Sequence, residues 1–267
     1  FTIVPAGGLR VEAEGYSGIY DGEEHSVSSS VSVEEGTAVS YSIDNGSTWS
    51  VTPPSIRNTG RYEVLVKADN RDYESVQTSV ILEVTHRSAV VTAADAQKKY
   101  GEADPAFEVT VDNVLDGDEI SYIVSRKAGE DAGVYRITPA GSSVQGNYEV
   151  TYEGADLTIV PSDLMTLSVS GYEGVYDGAE HTGEAYTNVS EGTSIEFSTD
   201  GSTWTGTMPS IRDAGEITVY ARAVNPNYET AEAEFVLTVT PRPVTVSAEN
   251  SGKVYGTDDP VLSAQVS

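Results

Sequence analysis

The chain has 267 residues, carries 42 acidic against 15 basic side chains for a formal net charge of −27, and contains no cysteine. That field repels nucleic acid and anionic lipid headgroups, so neither is an expected partner, and it keeps a long, self-repelling protein in solution. Without cysteine, neither disulfides nor thiolate metal sites support the fold. No stretch reaches the ~18 consecutive apolar residues of a membrane span.

Taken in chain order, the sequence repeats itself. Thr2-Ile3-Val4-Pro5 recurs as Thr158-Ile159-Val160-Pro161, so residues 1–6 read as the last strand of a truncated module. From about Gly7 to Thr85 runs a first-type module. Its Gly15-Tyr16 returns as Gly171-Tyr172, and its Tyr20-Asp21-Gly22 with His25 returns as Tyr176-Asp177-Gly178 with His181. After a one-residue deletion, Gly46-Ser47-Thr48-Trp49 matches Gly201-Ser202-Thr203-Trp204, and Asn70 with Tyr73 matches Asn225 with Tyr228. A second-type module covers 86–161, the second copy of the first type covers 162–240, and residues 241–267 open another second-type module. There Val254-Tyr255-Gly256 with Asp259-Pro260 parallels Lys99-Tyr100-Gly101 with Asp104-Pro105. The junctions are short and rich in Pro, which predicts stiff spacing of the modules into an extended rod.

Strand signals dominate every module. Tyr62, Val64, Val66 and Ala68 alternate with Glu63, Leu65 and Lys67, and Ile217, Val219, Ala221 and Ala223 alternate in the equivalent place. Val80-Leu82-Val84, Tyr148-Val150-Tyr152 and Phe235-Leu237-Val239 show the same period of two. Asp44-Asn45-Gly46, Asp116-Gly117 and Asp200-Gly201 supply turn residues tolerant of positive φ, read here as hairpin turns. The expected fold class is all-β: a tandem array of small, disulfide-free, immunoglobulin-like antiparallel β-sandwich modules. Asn58-Thr59-Gly60-Arg61-Tyr62 and Asp131-Ala132-Gly133-Val134-Tyr135 fit a tyrosine corner, which Ile217 removes from the other first-type copy.

The second-type module resembles the MBG, or YGX-type, repeat of bacterial surface proteins. The residues that carry this are Val90-Val91-Thr92-Ala93, Lys99-Tyr100-Gly101 with Asp104-Pro105, Asp131 through Ile137, and Gly146-Asn147-Tyr148 through Ile159. The first-type module, with its Tyr-Asp-Gly, Ser-Thr-Trp and Asn-x-x-Tyr marks, is similar to the bacterial Ig-like repeats that alternate with MBG units. Both resemblances imply a long exported or wall-attached bacterial protein, often adhesin-like, whose repeats project a functional head or touch a ligand themselves. The expected localisation is therefore extracellular, on a bacterial surface.

The sequence offers little chemistry. His25 and His181 occupy equivalent places in separate copies, so they cannot share one metal or form one catalytic pair, and they read as structural or solvent-facing. Asp112, Asp116, Asp118 and Glu119 cluster without the spacing of an EF-hand loop. An intramolecular isopeptide bond needs a buried Lys facing Asn beside an acid. Lys67 aligns with Arg222, so no such bond belongs to both first-type copies. No enzyme, cofactor or metal is expected. The candidate ligand contacts are Trp49 and Trp204, each after a Gly-Ser-Thr turn, where an exposed indole would stack on a sugar ring. The competing reading has each Trp closing the edge of a core, near Val51 and Pro53 or near Met208 and Pro209, as large aromatics usually do. Two functions follow as expectations. One is a non-enzymatic stalk with multivalent contacts to an unidentified host or surface glycan or protein; the other is a set of carbohydrate-binding accessory modules of an extracellular glycoside hydrolase.

Overall fold

The computed structural model describes residues 2–267, and all of their regular structure is strand, with no helix. Two compact units divide it: Phe1–Lys98, Asp104–Gly129 and Val134–Thr158 form the first, and Lys99–Ala103, Glu130–Gly133 and Ile159–Ser267 form the second. Each sheet is built from strands of a single module.

In the first-type module one sheet has the order Tyr16–Ile19, Val76–Thr85, Gly60–Asn70, Thr37–Ser42. Facing it are two short pairs, Val11–Glu14 with Ser28–Val31 and His25–Ser26 with Ser55–Ile56. The period of two does what it promises: Val64, Val66, Ala68, Leu82 and Val84 are buried, while Leu65 and Lys67 between them are half-exposed. Each such side chain removed from water contributes roughly 1.5–3 kcal/mol, which a module without disulfides depends on. The copy at 162–240 repeats the plan around Val219, Ala221, Phe235 and Leu237.

One expectation is refined. The sheets are not wholly antiparallel, since Tyr16–Ile19 runs parallel to Leu82–Thr85 and Tyr172–Val175 parallel to the end of Tyr228–Thr240. The first strand of the module begins in one layer, at Val11–Glu14, and crosses to the other at Gly15. A Cβ on Gly15 would run into the Ile81 carbonyl oxygen, and one on Gly171 into that of Val236. The recurring Gly-Tyr is thus the point where the chain changes layers at the closest backbone approach.

The second-type module has two four-stranded sheets. One runs Ala96–Lys99, Ala155–Val160, Gly133–Ala140, Ile123–Arg126; the other runs Val109–Asp112, Arg87–Ala93, Tyr148–Glu153, Val144–Gln145, with its two central strands parallel. Asp116-Gly117, expected to close a hairpin, instead forms a turn within a loop that leads from one sheet to the other, with Gly117 at φ 91 and Asp118 N–H donating to Leu115 O. Nor does Tyr62 form the expected corner: it is 41% exposed, on the strand position that pairs with the buried Leu82. Tyr135 lays its ring beside the Arg126 guanidinium, 5.6 Å from the ring centre. Two hydroxyls of this module bond to backbone: that of Tyr152 donates to Ser142 O at 2.9 Å, and that of Tyr148 accepts from Leu115 N–H at 3.0 Å and donates to Asp118 at 2.7 Å.

Candidate functional site

Trp49 and Trp204 are both half-buried. Trp49 follows the Asp44–Gly46 turn, with Asn45 and Gly46 at positive φ, and its Nε1–H donates to Gly46 O at 3.1 Å. The turn is tied by Asp44, which accepts from Ser42 Oγ–H, Thr48 N–H and Thr48 Oγ1–H. Those bonds, the Thr48 hydroxyl first, hold its carboxyl down at about 2. Asp200 is held well below the usual carboxylate range by the backbone N–H groups of Thr203 and Ser202. Val51, expected beside Trp49 in a core edge, is 78% exposed, whereas Met208 does pack on the core of its own copy.

One face of each indole is covered by a cation from the adjacent strand. Lys67 Nζ lies 4.7 Å from the Trp49 ring centre and the Arg222 guanidinium 4.2 Å from that of Trp204. Arg222 is held there by Glu196, with Nη2 at 2.6 Å. Around Trp204 lies an open hollow of about 460 Å³, lined by Tyr220, Glu232, Glu234 and small residues. The corresponding positions around Trp49 hold Leu65, Gln77 and Ser79, so the two copies present different surfaces.

The histidines serve the Tyr-Asp-Gly turns. His25 stacks on Tyr16 at 3.5 Å between ring centres, and His181 on Tyr172 at 3.9 Å. Their Nε2 atoms lie 3.0 Å from Asp21 and 2.9 Å from Asp177. Backbone N–H groups of Glu23 and Ala179, and then the imidazoles, hold these two carboxyls below their ordinary range. No cluster of three or more His, Asp or Glu stands ready for a metal among the described residues. Asp118 of the acidic cluster is engaged by Tyr148.

Lys98 is the buried lysine, its ammonium 2.8 Å from Asp104 Oδ1, and Arg126 Nε donates to Asp104 Oδ2 at 2.6 Å. The Arg126 guanidinium, then Lys98, holds the Asp104 carboxyl at about 2. An ionised carboxylate between two cations is a poor acyl donor, so this trio is an ion-pair clamp and not an amide-forming set.

The remaining family marks line contacts between successive modules. In the first unit, Tyr20 meets Tyr148 edge to face at 5.7 Å, and Thr59 N–H donates to Asn147 Oδ1 at 2.9 Å. In the second unit, Tyr100 meets Tyr228 edge to face at 5.3 Å, Lys99 pairs with Asp163 at 2.8 Å, and Asn227 Oδ1 accepts from Ala132 N–H at 2.7 Å. Tyr20, Tyr100 and Tyr228 stand in the sequence as marks of the repeat, returning as Tyr176, Tyr255 and Tyr73.

Residues 89–158 match the MBG domain (YGX type). No curated protein matches the chain. Among solved structures, three immunoglobulin domains of titin are similar over 88% of this chain and 99% of theirs, at 11% identity and a TM-score of 0.30. The N-terminal eight Ig domains of Down Syndrome Cell Adhesion Molecule are matched over 91% of this chain and 44% of theirs, at 15% identity and a TM-score of 0.31. A Bacteroides ovatus protein, SGBP-B of a mixed-linkage glucan utilization locus, solved with a mixed-linkage heptasaccharide, is matched over 94% of this chain and 76% of its own, at 13% identity and a TM-score of 0.24.

Proposed function

We propose that this chain is a non-enzymatic repeat region of a bacterial cell-surface or secreted protein, serving as a spacer and offering repeated contacts for multivalent adhesion. One observation carries the reading: the motifs that recur with the repeat are engaged in turns and in contacts from one module to the next, as Tyr20 with Tyr148 and Tyr100 with Tyr228. Small-angle scattering tests it. A compact particle of this length has a radius of gyration of about 18 Å. Stiffly spaced modules give a value well above that, and a value near it overturns the reading.

A second reading, carbohydrate binding, is favoured by Trp204 and Tyr220 beside the carboxylates Glu232 and Glu234 in an open hollow. A glycan array tests it. Binding that Trp204→Ala removes supports the reading, and an array with no such signal for Trp204→Ala or Trp49→Ala ends it.

A further inference from the structure

The Asn-x-x-Tyr turn of each first-type copy is built alike. Asn225 Nδ2 donates to Glu191 O and Thr193 Oγ1 at 3.0 and 2.9 Å, and Asn70 Nδ2 donates to Glu35 O and Thr37 Oγ1 at 3.0 and 2.8 Å. In both, the residue at the module entrance bridges the turn. Ser162 pairs with Tyr228, flanked by Ser162 N–H to Asn227 O at 2.9 Å, and Ala6 pairs with Tyr73, flanked by Ala6 N–H to Asp72 O at 2.8 Å. The two turns differ in what sits on them. Within the second unit, Tyr228 receives Tyr100 edge-on, while Asn227 accepts from Ala132 N–H and donates Nδ2–H to Asp131 Oδ1 at 2.9 Å. There Asn225 is buried, at 7% exposure, whereas Asn70 is half-exposed.

We infer that the Tyr-Gly loop of a second-type module and the Asn-x-x-Tyr turn of the first-type module after it are two halves of a docking joint, and that Asn70–Tyr73 is a receiving site for another such loop. The inference deepens the spacer reading, since a joint is what keeps spaced modules from hinging freely. Lys98 and Asp104 flank Tyr100 in the chain, and Lys253 with Asp259 restates that Lys–Asp pair around Tyr255. The socket residue that selects its plug is the one before the tyrosine. Asn227 offers both an acceptor and a donor and so tolerates Asp131, whereas Asp72 at the same place offers only acceptors. The loop that fits Asn70–Tyr73 therefore has a donor or neutral side chain where the present loop has Asp131.

The test uses the full chain and NMR. Tyr228→Leu removes the ring-current shift on the Tyr100 ring protons and Tyr228→Phe keeps it, because the contact needs the ring and not the hydroxyl. Asn227→Ala, which removes the acceptor, raises the exchange rate of Ala132 N–H about tenfold. Tyr100 signals unmoved by Tyr228→Leu, or Ala132 exchange unmoved by Asn227→Ala, overturn the joint. For the receiving site, residues 86–156 are duplicated ahead of residue 1 so that a complete second-type module precedes Ala6. The Tyr73 ring signals then shift, more strongly when the added copy carries Asp131→Asn. Tyr73 unmoved in both chains overturns that half. A near-compact radius of gyration with the Tyr100–Tyr228 shift intact would remove the spacer reading and leave the joint standing, and the reverse pattern would do the opposite.

Discussion

Asp104 shows how one side chain does work that its motif does not announce. The buried Lys98 ammonium and the Arg126 guanidinium both lean on its carboxylate, so removing its charge leaves cations short of a partner in a place where water reaches them poorly. Asp104→Asn is expected to destabilise the first unit by about 1.5–3 kcal/mol, read by urea unfolding. The same contact sets a pH dependence. The carboxyl titrates at about 2 when folded, as does Asp44, against roughly 3.9 for a free carboxyl in the unfolded chain. A depressed folded value means that the unfolded state binds the proton more readily. Stability from these groups is therefore complete above about pH 4 and is lost as the pH falls towards 2. An unfolding midpoint that stays flat from pH 5 to pH 2 would refute this, and Asp104→Asn should flatten the curve in part.

At the scale of the strand, the decisive element is the one that changes layers. Val11–Glu14 and Tyr16–Ile19 belong to different sheets, and Gly15 between them passes against the Ile81 carbonyl. Gly15→Ala forces the backbone apart there and is expected to cost about 1–3 kcal/mol. Gly206→Ala, where an added Cβ meets nothing, stays within about 0.5 kcal/mol. Equal melting shifts for the two would contradict the layer-crossing account. These residues also show what a sequence makes legible. The strands around Val64, Val150 and Val219 were plain because burial on one face imposes a period of two. The parallel pairing of Tyr16–Ile19 was not, since alternation is the same whichever way a neighbour runs. Asp116-Gly117 announced a turn correctly, but a turn does not say whether its flanks share a sheet. For Trp49 and Trp204 the indoles were identified and their half-burial was not. The aligned cations Lys67 and Arg222, at equivalent outward positions of Gly60–Asn70 and Gly215–Asn225, were the clue that each ring is covered on one face.

Across a whole unit, the core decides cooperativity. In the first unit one apolar cluster contains Tyr20, Val64 and Leu82 of the first-type module together with Ala89, Val91 and Tyr148 of the second-type module. Modules sharing a core lose stability together, so Tyr148→Ala is expected to lower the opening free energy read by amide exchange at Val64 as well as at Val150, by about 3 kcal/mol or more. A change confined to the second-type module would mean that the shared cluster does not couple them. The charge of −27 acts over the entire chain and sets the last expectation. Most of its 42 carboxylates lack a cation to pair with, since only 15 basic residues exist, so the folded protein concentrates like charge that the unfolded chain spreads out. Salt shortens the reach of that repulsion from about 30 Å at 0.01 M to about 8 Å at 0.15 M. It also weakens exposed ion pairs such as Arg61 with Glu83 and Arg136 with Asp156, but each of those contributes about 1 kcal/mol at most. Repulsion wins this comparison, and the melting temperature should rise with sodium chloride over that range; a fall would mean that the surface pairs, and not the net charge, govern the stability of the array.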